Sequence, residues 1–420
     1  MTGLNTANRS DSRAATGPLR GIRVLDLTAN VAGPSGTMVL ADLGADVIKI
    51  ERPDGGDDGR KMGPYRGDWS AAFVPINRGK RSLALNLRQP EGRSAVLRLA
   101  ERSDAFIENF RFGKAASLGL DEQSVRAVRP DIIYASLTAF GTQGPDHKRP
   151  GYDALLQART GVVSVTGTRK GYESRTGMSV LDMGSGIWLA LGVLAALFER
   201  QRTQKGQRVE SSLFETGIMW MNYHLLARQF TGIDPEPLGL NSPAFAPYGD
   251  FSTADGKILI GISSDRLFAD LCHAIGHPEW ARDPRYAAAS ERLRNREQMD
   301  RDLAAVFQTA PSAAWLARLD ERGVPAEAIQ TAGQVLTDPQ LAALGQLETV
   351  TLAGARAEEP ITAQIPRLPV NFSETPAHIG GPPPELGEHG WEILKEGGFS
   401  EQEINSLAKC GVVWLPDRRT

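Results

Sequence analysis

Cysteine is scarce: the 420 residues hold two, Cys272 and Cys410. Two thiols cannot make a disulfide framework, and such usage fits a reducing, cytoplasmic setting. An excess of one charge is also missing. Lysine and arginine total 47, aspartate and glutamate 50, and the formal net charge is −3. That balance supplies no basic field for nucleic acid or for an anionic membrane. No apolar run reads as long enough to span a bilayer; the one after Gly186 stops near Phe198. Glycine spacings match neither the dinucleotide fingerprint nor a Walker phosphate loop, and no Gly-x-Ser-x-Gly elbow occurs. His273 and His277 have helical spacing, but Gly276 and Pro278 interrupt the helix. No metal site is expected there, since no third ligand is supplied nearby. No internal repeat is visible.

What is present is ordinary for a soluble globular protein. Apolar residues make up 41% and charged residues 23%. The length suits a large core and two domains. Residues 1–18 are polar and read as a disordered tail rather than a secretory signal. A large domain is expected over 19–230 and a Gly/Pro-rich linker over 231–247. A smaller α+β domain follows over 248–330, and 331–420 returns to the large domain. The smaller domain opens on a hairpin, with Ala254-Asp255-Gly256-Lys257 as its turn.

The fold class is α/β, a Rossmann-like parallel-sheet large domain. Ile22–Leu27 reads as a buried strand and Asn30–Gly36 as a turn with Pro34 near a helix start. That helix stops at Gly44, and Asp46–Glu51 is the next strand. A strand–helix–strand unit of this kind implies a parallel sheet with a right-handed crossover. Residues 105–110 and 131–137 give further strands. Ligands gather at the carboxyl ends of such strands, so Val31, Arg52, Asn109 and Thr138 are expected along one edge. Arg52–Trp69 reads as a long loop. Asn77–Arg88 carries four cations beside a short strand, as either a solvated basic edge or a phosphate site. Residues 202–209 read as a polar turn and 210–230 as helix.

Ser179–Gly186 stands out. Asp182 precedes Ile187–Phe198, a charge-free run that reads as a helix buried on most sides. Two readings follow for Asp182. It caps the helix, or it is a poorly solvated nucleophile kept ionised by the helix amino end. Gly184 and Gly186 would leave backbone open to a ligand.

Several runs together resemble the family III CoA-transferases, which include formyl-CoA and carnitine CoA-transferases. They are Val24–Thr28 with Ala32-Gly33-Pro34; Leu43–Arg52; Asn77–Asn86; Glu108-Asn109-Phe110; and Asp182–Gly186. Lys205-Gly206-Gln207, Gly323-Val324-Pro325, Asp338-Pro339 and Leu386–His389 follow in the expected order. The resemblance covers residues 19–395. It implies an interlocked homodimer and no tightly bound cofactor, with acyl-CoA and a carboxylic acid as substrates. It places the nucleophile on Asp182, passing through a mixed anhydride to an aspartyl-CoA thioester. CoA contacts are implied at Val31, Ala32, Arg52, Leu85, Asn86, Leu87, Arg88, Asn109, Phe110, Arg111, Thr138, Ala139, Phe140 and Gly141. Arg52 and Arg88 are the expected phosphate partners. Tyr152, Gly184 and Phe245 are expected in the substrate pocket. Where formyl-CoA transferase has an arginine and a lysine, this chain has Ser117 and Thr138, so phosphate contacts must come from elsewhere, such as Arg111 or Lys114. The glycine-run loop is replaced by Leu240–Phe245, which argues against oxalate as the specific acceptor. The alternatives are an α-methylacyl-CoA racemase-like enzyme, in which Tyr152 would stand where a histidine base is needed, and a non-catalytic CoA-binding protein.

Overall fold

A computed structural model describes residues 17–168, 172–352 and 360–416. The expected tail over 1–18 falls almost wholly on residues 1–16, outside the described residues. Two compact units emerge. The first runs through Thr160, takes in Gly177–Tyr223 and resumes from Ala343; the second holds Gly161–Thr176 and His224–Ala342. The second unit therefore begins before the expected linker and also recruits a segment from ahead of Asp182.

The first unit is built on a seven-stranded sheet. Its strands are β1 (Arg23–Leu27), β2 (Asp46–Glu51), β3 (Arg81–Leu85), β4 (Ala105–Glu108), β5 (Ile133–Thr138), β6 (Arg208–Ser212) and β7 (Val413–Trp414). The order across the sheet is β6-β5-β4-β1-β2-β3-β7. All pairings are parallel except β3 with β7, which is antiparallel. Val, Ile, Leu and Ala fill both faces of the central strands, as doubly covered parallel strands require. One face packs on α1 (Ala32–Asp42) and the long helix α4 (Val180–Thr203). The other packs on α2 (Pro90–Ala100), α6 (Gly390–Glu396) and α7 (Glu401–Lys409). Between them in the chain lie α3 (Asp153–Arg159) and α5 (Leu213–Trp220).

Strand β6 corrects the expected polar turn. Arg208-Val209-Glu210-Ser211-Ser212 is too polar to read as a strand, yet it pairs with β5 at the sheet edge, where one side meets water. The helix expected from Glu210 begins at Leu213 instead. The Arg52–Trp69 loop carries a short 3-10 turn at Asp58–Lys61 and a two-residue ladder, Tyr65-Arg66 against Trp69-Ser70.

Helix α4 corrects two expectations. It is 24 residues long and holds an 18-residue stretch with a mean hydropathy of 1.8, enough by length and composition to cross a membrane, and half of that stretch is buried within the fold. It is not covered on most sides. Leu181, Leu189, Val193 and Leu197 are buried, whereas Ile187, Leu191 and Phe198 are more than half exposed. Helices α1 and α4 touch at their backbones. A β-carbon on Gly186 would lie 2.5 Å from the Ala32 carbonyl oxygen, and one on Gly36 would lie 2.5 Å from that of Gly186. Only glycine permits this approach.

The basic run at Asn77–Arg88 is neither a solvated edge nor a phosphate site over most of its length. Arg78 pairs with Asp42 at 2.6 Å and Arg81 with Asp46 at 2.7 Å. Lys80 is fully buried, its Nζ 3.0 Å from Asp26 and 2.7 Å from the Thr37 hydroxyl oxygen. Burial pushes the Lys80 ammonium down to about 8 despite Asp26. Burial pushes Asp26 up, but Lys80, Lys49 and two threonine hydroxyls outweigh it and hold the carboxyl well below its usual range. Lys49 is also fully buried and pairs with Asp57 at 2.7 Å. These charges sit directly under the β1–α1 turn.

The second unit has a three-stranded antiparallel sheet of Tyr248–Ser252, Lys257–Gly261 and Ala326–Ala328. The first two strands form the expected hairpin. Helices Asp265–Ala274, Arg296–Phe307 and Ser312–Asp320 complete its core.

Removing Lys80 would strand Asp26 in the core, and breaking a buried pair on one side costs about 3–5 kcal/mol. Lys80→Met is expected to lower the urea midpoint accordingly, and an unchanged midpoint would refute the structural role given to this pair.

Candidate active site

Helix α4 starts at the carboxyl edge of the sheet. Near its other end, Arg200 bonds the Asp104 carboxylate at 2.9 Å, and Asp104 immediately precedes β4. The helix therefore runs from the carboxyl edge to the amino edge. Asp182 lies in its first turn, beside the loops that follow the parallel strands.

Asp182 does not cap α4. Asp153, at the start of α3, does so from across the fold. One carboxylate oxygen accepts the Leu181 N–H at 2.8 Å and the Asp182 N–H at 3.1 Å. The other accepts the Gln157 side-chain amide at 2.5 Å. Asp153 and Gln157 are both buried. The capping reading of Asp182 is thus excluded by a different carboxylate. Asp153 also opens its own helix, so the positive ends of α3 and α4 converge on it. The sequence run Asp153–Gln157 carried the signal of an i,i+4 pair, but its target lies 28 residues along the chain.

The Asp182 carboxylate accepts no hydrogen bond and meets no cation among the described residues. Burial, with the Asp153 carboxylate adding repulsion, pushes its pKa up to about 7. The expectation that the helix end keeps Asp182 ionised is corrected: Asp153 takes the amides that would have done so. Gly184 does not open the backbone to a ligand either. Its missing side chain is filled by Trp220 and Thr216, each 3.0 Å from where a β-carbon would stand. Gly186 serves the α1–α4 approach.

The topology brings the other expected residues to this edge. Val31 and Ala32 follow β1, Arg52 follows β2, and Leu85 ends β3 ahead of Asn86, Leu87 and Arg88. Asn109, Phe110 and Arg111 follow β4; Thr138 ends β5 ahead of Ala139, Phe140 and Gly141. Their side chains are in different states. Asn109 clamps Ala29, accepting its N–H and donating to its carbonyl, both at 2.9 Å. Arg52 is tied to Asp58 and to the Gly56 carbonyl. Leu85 is buried in the core. The Phe110 N–H donates to Glu108, whose carboxyl burial pushes up to about 7. The Thr138 hydroxyl oxygen accepts the Gly141 N–H at 2.9 Å. Arg88 and Arg111 are exposed and make no ion pair among the described residues.

The loop after β5 leads into Asp153, which holds the first turn of α4 that carries Asp182. A β-carbon on Gly151 would meet Leu156 at 2.4 Å and Ala139 at 2.8 Å, so the loop closes on its own base. That base carries Phe140 and Tyr152 next to Asp153. Tyr152 is 64% exposed and so is not a buried base. Phe245 lies in the second unit. Buried Arg296 holds its stretch by donating to the Ser242, Phe245 and Tyr248 carbonyls, and Arg292 by donating to that of Ala246.

Comparison with known proteins follows the same lines. The family model described as CoA-transferase family III matches residues 19–390. The succinyl-CoA:glutarate CoA-transferase of Homo sapiens is 33% identical over 401 residues, covering 94% of this chain and 90% of that protein. The acetyl-CoA:oxalate CoA-transferase of Acetobacter aceti is 35% identical over 383 residues, covering 90% and 96%. The crystal structure of a CAIB/BAIF family protein from Brucella suis superimposes with a TM-score of 0.81 at 34% identity, covering 91% of this chain and all of that one.

An acid whose folded pKa is raised weakens the fold as pH rises from its ordinary value, 3.8, towards 7, and leaves it weaker above that. Asp182→Asn, neutral throughout, escapes this. Its melting temperature is expected to match the parent at pH 4 and exceed it at pH 8. A gain of the same size at both pH values would contradict the uncompensated carboxylate.

Proposed function

The chain belongs to CoA-transferase family III, and on that premise we propose that it transfers CoA between carboxylic acids through an aspartyl-CoA thioester on Asp182. The observation that carries this reading is a half-buried, unpartnered carboxylate at the sheet edge where nucleotide-binding loops gather. An Asp182 oxygen attacks the thioester carbonyl of the donor; the carbon–sulfur bond breaks, and CoA leaves as thiolate. The thiolate attacks the Asp182 carbonyl carbon of the mixed anhydride, expelling the donor acid as carboxylate. The acceptor carboxylate then attacks the aspartyl thioester, and the returning thiolate collects the acceptor acyl group. No proton is gained or lost overall, and one thioester replaces another, so no ATP is consumed. Covalent capture divides one hard exchange into easier steps.

The acceptor class we propose is dicarboxylic acids, after the substrates named for the human and Acetobacter relatives. We also propose a homodimer. Met183, Ile187, Leu191 and Phe198 form an exposed apolar stripe on α4, and a soluble monomer rarely leaves such a face open. CoA is a substrate here, with no tightly bound cofactor in the reading.

Mixing with an acyl-CoA is expected to add a CoA-sized mass to the peptide carrying Asp182, and Asp182→Ala to abolish both adduct and exchange. Solvent deuterium appearing at the α-carbon without any acceptor acid would assign the racemase-like chemistry instead. Only the ionised carboxylate attacks, so kcat/KM for the donor should be flat above about pH 7 and fall roughly tenfold per unit below it. A profile flat down to pH 5 is incompatible with this assignment. Light scattering should give twice the chain mass, and Ile187→Asp with Leu191→Asp should give the monomer; a monomeric parent sinks the dimer.

A further inference from the structure

Helix α1 has two differently occupied sides. On one, Thr37 is the hub of a closed set of hydrogen bonds. Its hydroxyl donates to Asp26 at 2.6 Å and accepts from Lys80 Nζ at 2.7 Å. The same ammonium reaches the Pro34 carbonyl at 3.1 Å, and the side-chain oxygens of Asn77 and Asp26 at 3.0 Å each. Three N–H donors thus meet four oxygens, two of which belong to α1. Asn77, in the short helix Val74–Asn77, is itself fixed by donating to the Phe73 carbonyl at 3.1 Å. The second oxygen of Asp26 accepts the Thr28 N–H at 2.9 Å and the Thr28 hydroxyl at 2.5 Å. The Thr28 side chain in turn fills the space that a β-carbon on Gly33 would need. Asp26, Thr37, Asn77 and Lys80 are all buried.

On the other side, α1 meets α4 backbone to backbone. A β-carbon on Gly186 would lie 2.8 Å from the Gly36 nitrogen and 3.0 Å from the Ser35 β-carbon. Gly36 is the residue next to Thr37. Asp182 stands about one turn ahead of Gly186 on the same helix. The amides of that first turn are held by Asp153. The turn that carries Asp182 is therefore seated at two places, on Asp153 and on α1.

We propose that Thr37, held between Asp26 and Lys80, is a positioning residue for the transfer reaction: it sets α1 against Gly186 and so fixes where the Asp182 carboxylate stands. This rests on the transferase reading above. Thr37 touches no reacting atom and acts through the backbone of α1. Valine has the same branched shape, so filling the space does not require the hydroxyl. Direction does: the two hydrogen bonds of Thr37 fix both the rotation and the axial setting of α1, which apolar packing leaves looser. The chemistry is sensitive to such a setting, since a displacement of about 1 Å at an attacking atom costs on the order of 10²-fold in rate.

Single-turnover formation of the CoA adduct on the Asp182 peptide, at saturating acyl-CoA, reads the step itself. Thr37→Val should slow it roughly 10- to 100-fold while KM for the acyl-CoA stays within about threefold. Thr37→Ser keeps the hydroxyl and should stay within about threefold of the parent rate. Gly36→Ala should give a similar loss from the α4 side, and the double variant should lose less than the product of the two, because both act through one contact. Val96, fully buried on α2 across the sheet, supplies the control: Val96→Ala lowers stability without touching α1 and should keep the parental rate. If Thr37→Val does not fold, Asn77→Ala, which takes one acceptor from Lys80 and leaves Asp26 paired, carries the same test at about threefold or more. Amide hydrogen exchange across residues 180–187 should quicken in Thr37→Val and Gly36→Ala and not in Val96→Ala. Parental rates in folded Thr37→Val, or an equal loss in Val96→Ala, overturn the positioning role. A parent that forms no adduct defeats the transferase reading alone; the exchange pattern then decides the α1 seat, which falls if residues 180–187 are unaffected by Thr37→Val.

Discussion

Two backbone amides at the start of α4 donate to a single oxygen of Asp153, and the electrostatic state of Asp182 follows from that contact. A carboxylate three residues into a helix ordinarily gains from the free N–H groups and the positive dipole end. Here another carboxylate has taken them, and Gln157 and the opening of α3 hold that carboxylate in place. Asp182 is left with burial and a neighbouring negative charge, both of which favour its neutral form. The same penalty has a chemical use. The anhydride and the thioester of the proposed reaction would be uncharged on Asp182, so the environment that disfavours the free carboxylate would favour both. A well-solvated or well-bonded carboxylate would have to give up those partners before attacking.

The position of that carboxylate is set by a chain of contacts that begins in the core. Lys80 and Asp26, Lys49 and Asp57 are buried opposite charges below the β1–α1 turn. Lys49 donates to the Thr28 carbonyl and Asp57 accepts the Asn30 N–H, which fixes the turn from beneath; Asn109 clamps Ala29 from the next strand. The turn delivers α1, and α1 meets α4 through Gly36 and Gly186 with no side chain between them. A shift of the turn is therefore passed to the helix that carries Asp182. Buried ion pairs give little net stability, and a hydrophobic core of equal volume would often serve as well. Their use here is geometric, since they fix backbone atoms rather than fill space.

The parts legible in the sequence were those in which local pattern and tertiary environment agree. The strands from Arg23, Asp46 and Ala105 read from short clusters of Val, Leu, Ile and Phe, and both their faces are buried. The Asp255-Gly256 hairpin read from its turn chemistry. What stayed hidden was decided by partners far along the chain. Arg208–Ser212 is polar and becomes a strand only because β5 offers an open edge. Lys80 and Arg81 look like surface charge until Asp26 and Asp46 are placed against them. The exposed stripe on α4 has the composition of a buried helix, so composition could not say which face lay open. In the candidate site, the edge shared by Val31, Arg52, Asn109 and Thr138 was legible from strand order. That Asn109 and Arg52 spend their side chains on the protein itself was not.

The site separates chemistry from recognition. In the proposed reaction both half-reactions pass through one aspartyl thioester, and each step involves a carboxylate, a thiolate and an acyl carbon whatever acid supplies them. Asp153, Gln157 and the α1–α4 contact act on Asp182 alone, so they cannot tell one acid from another. Discrimination must come from side chains that face the acyl group. In the first unit the side chains placed for that part in the proposed reaction are Phe140 and Tyr152, carried at the base of the loop after β5 where Gly151 packs against Ala139. Tyr152 is held by its backbone at the start of α3 while its ring stays largely exposed. Its hydroxyl can therefore meet a second carboxylate on an acceptor without loss of any bond the fold requires. The selectivity of the enzyme can change there while the machinery around Asp182 stays fixed.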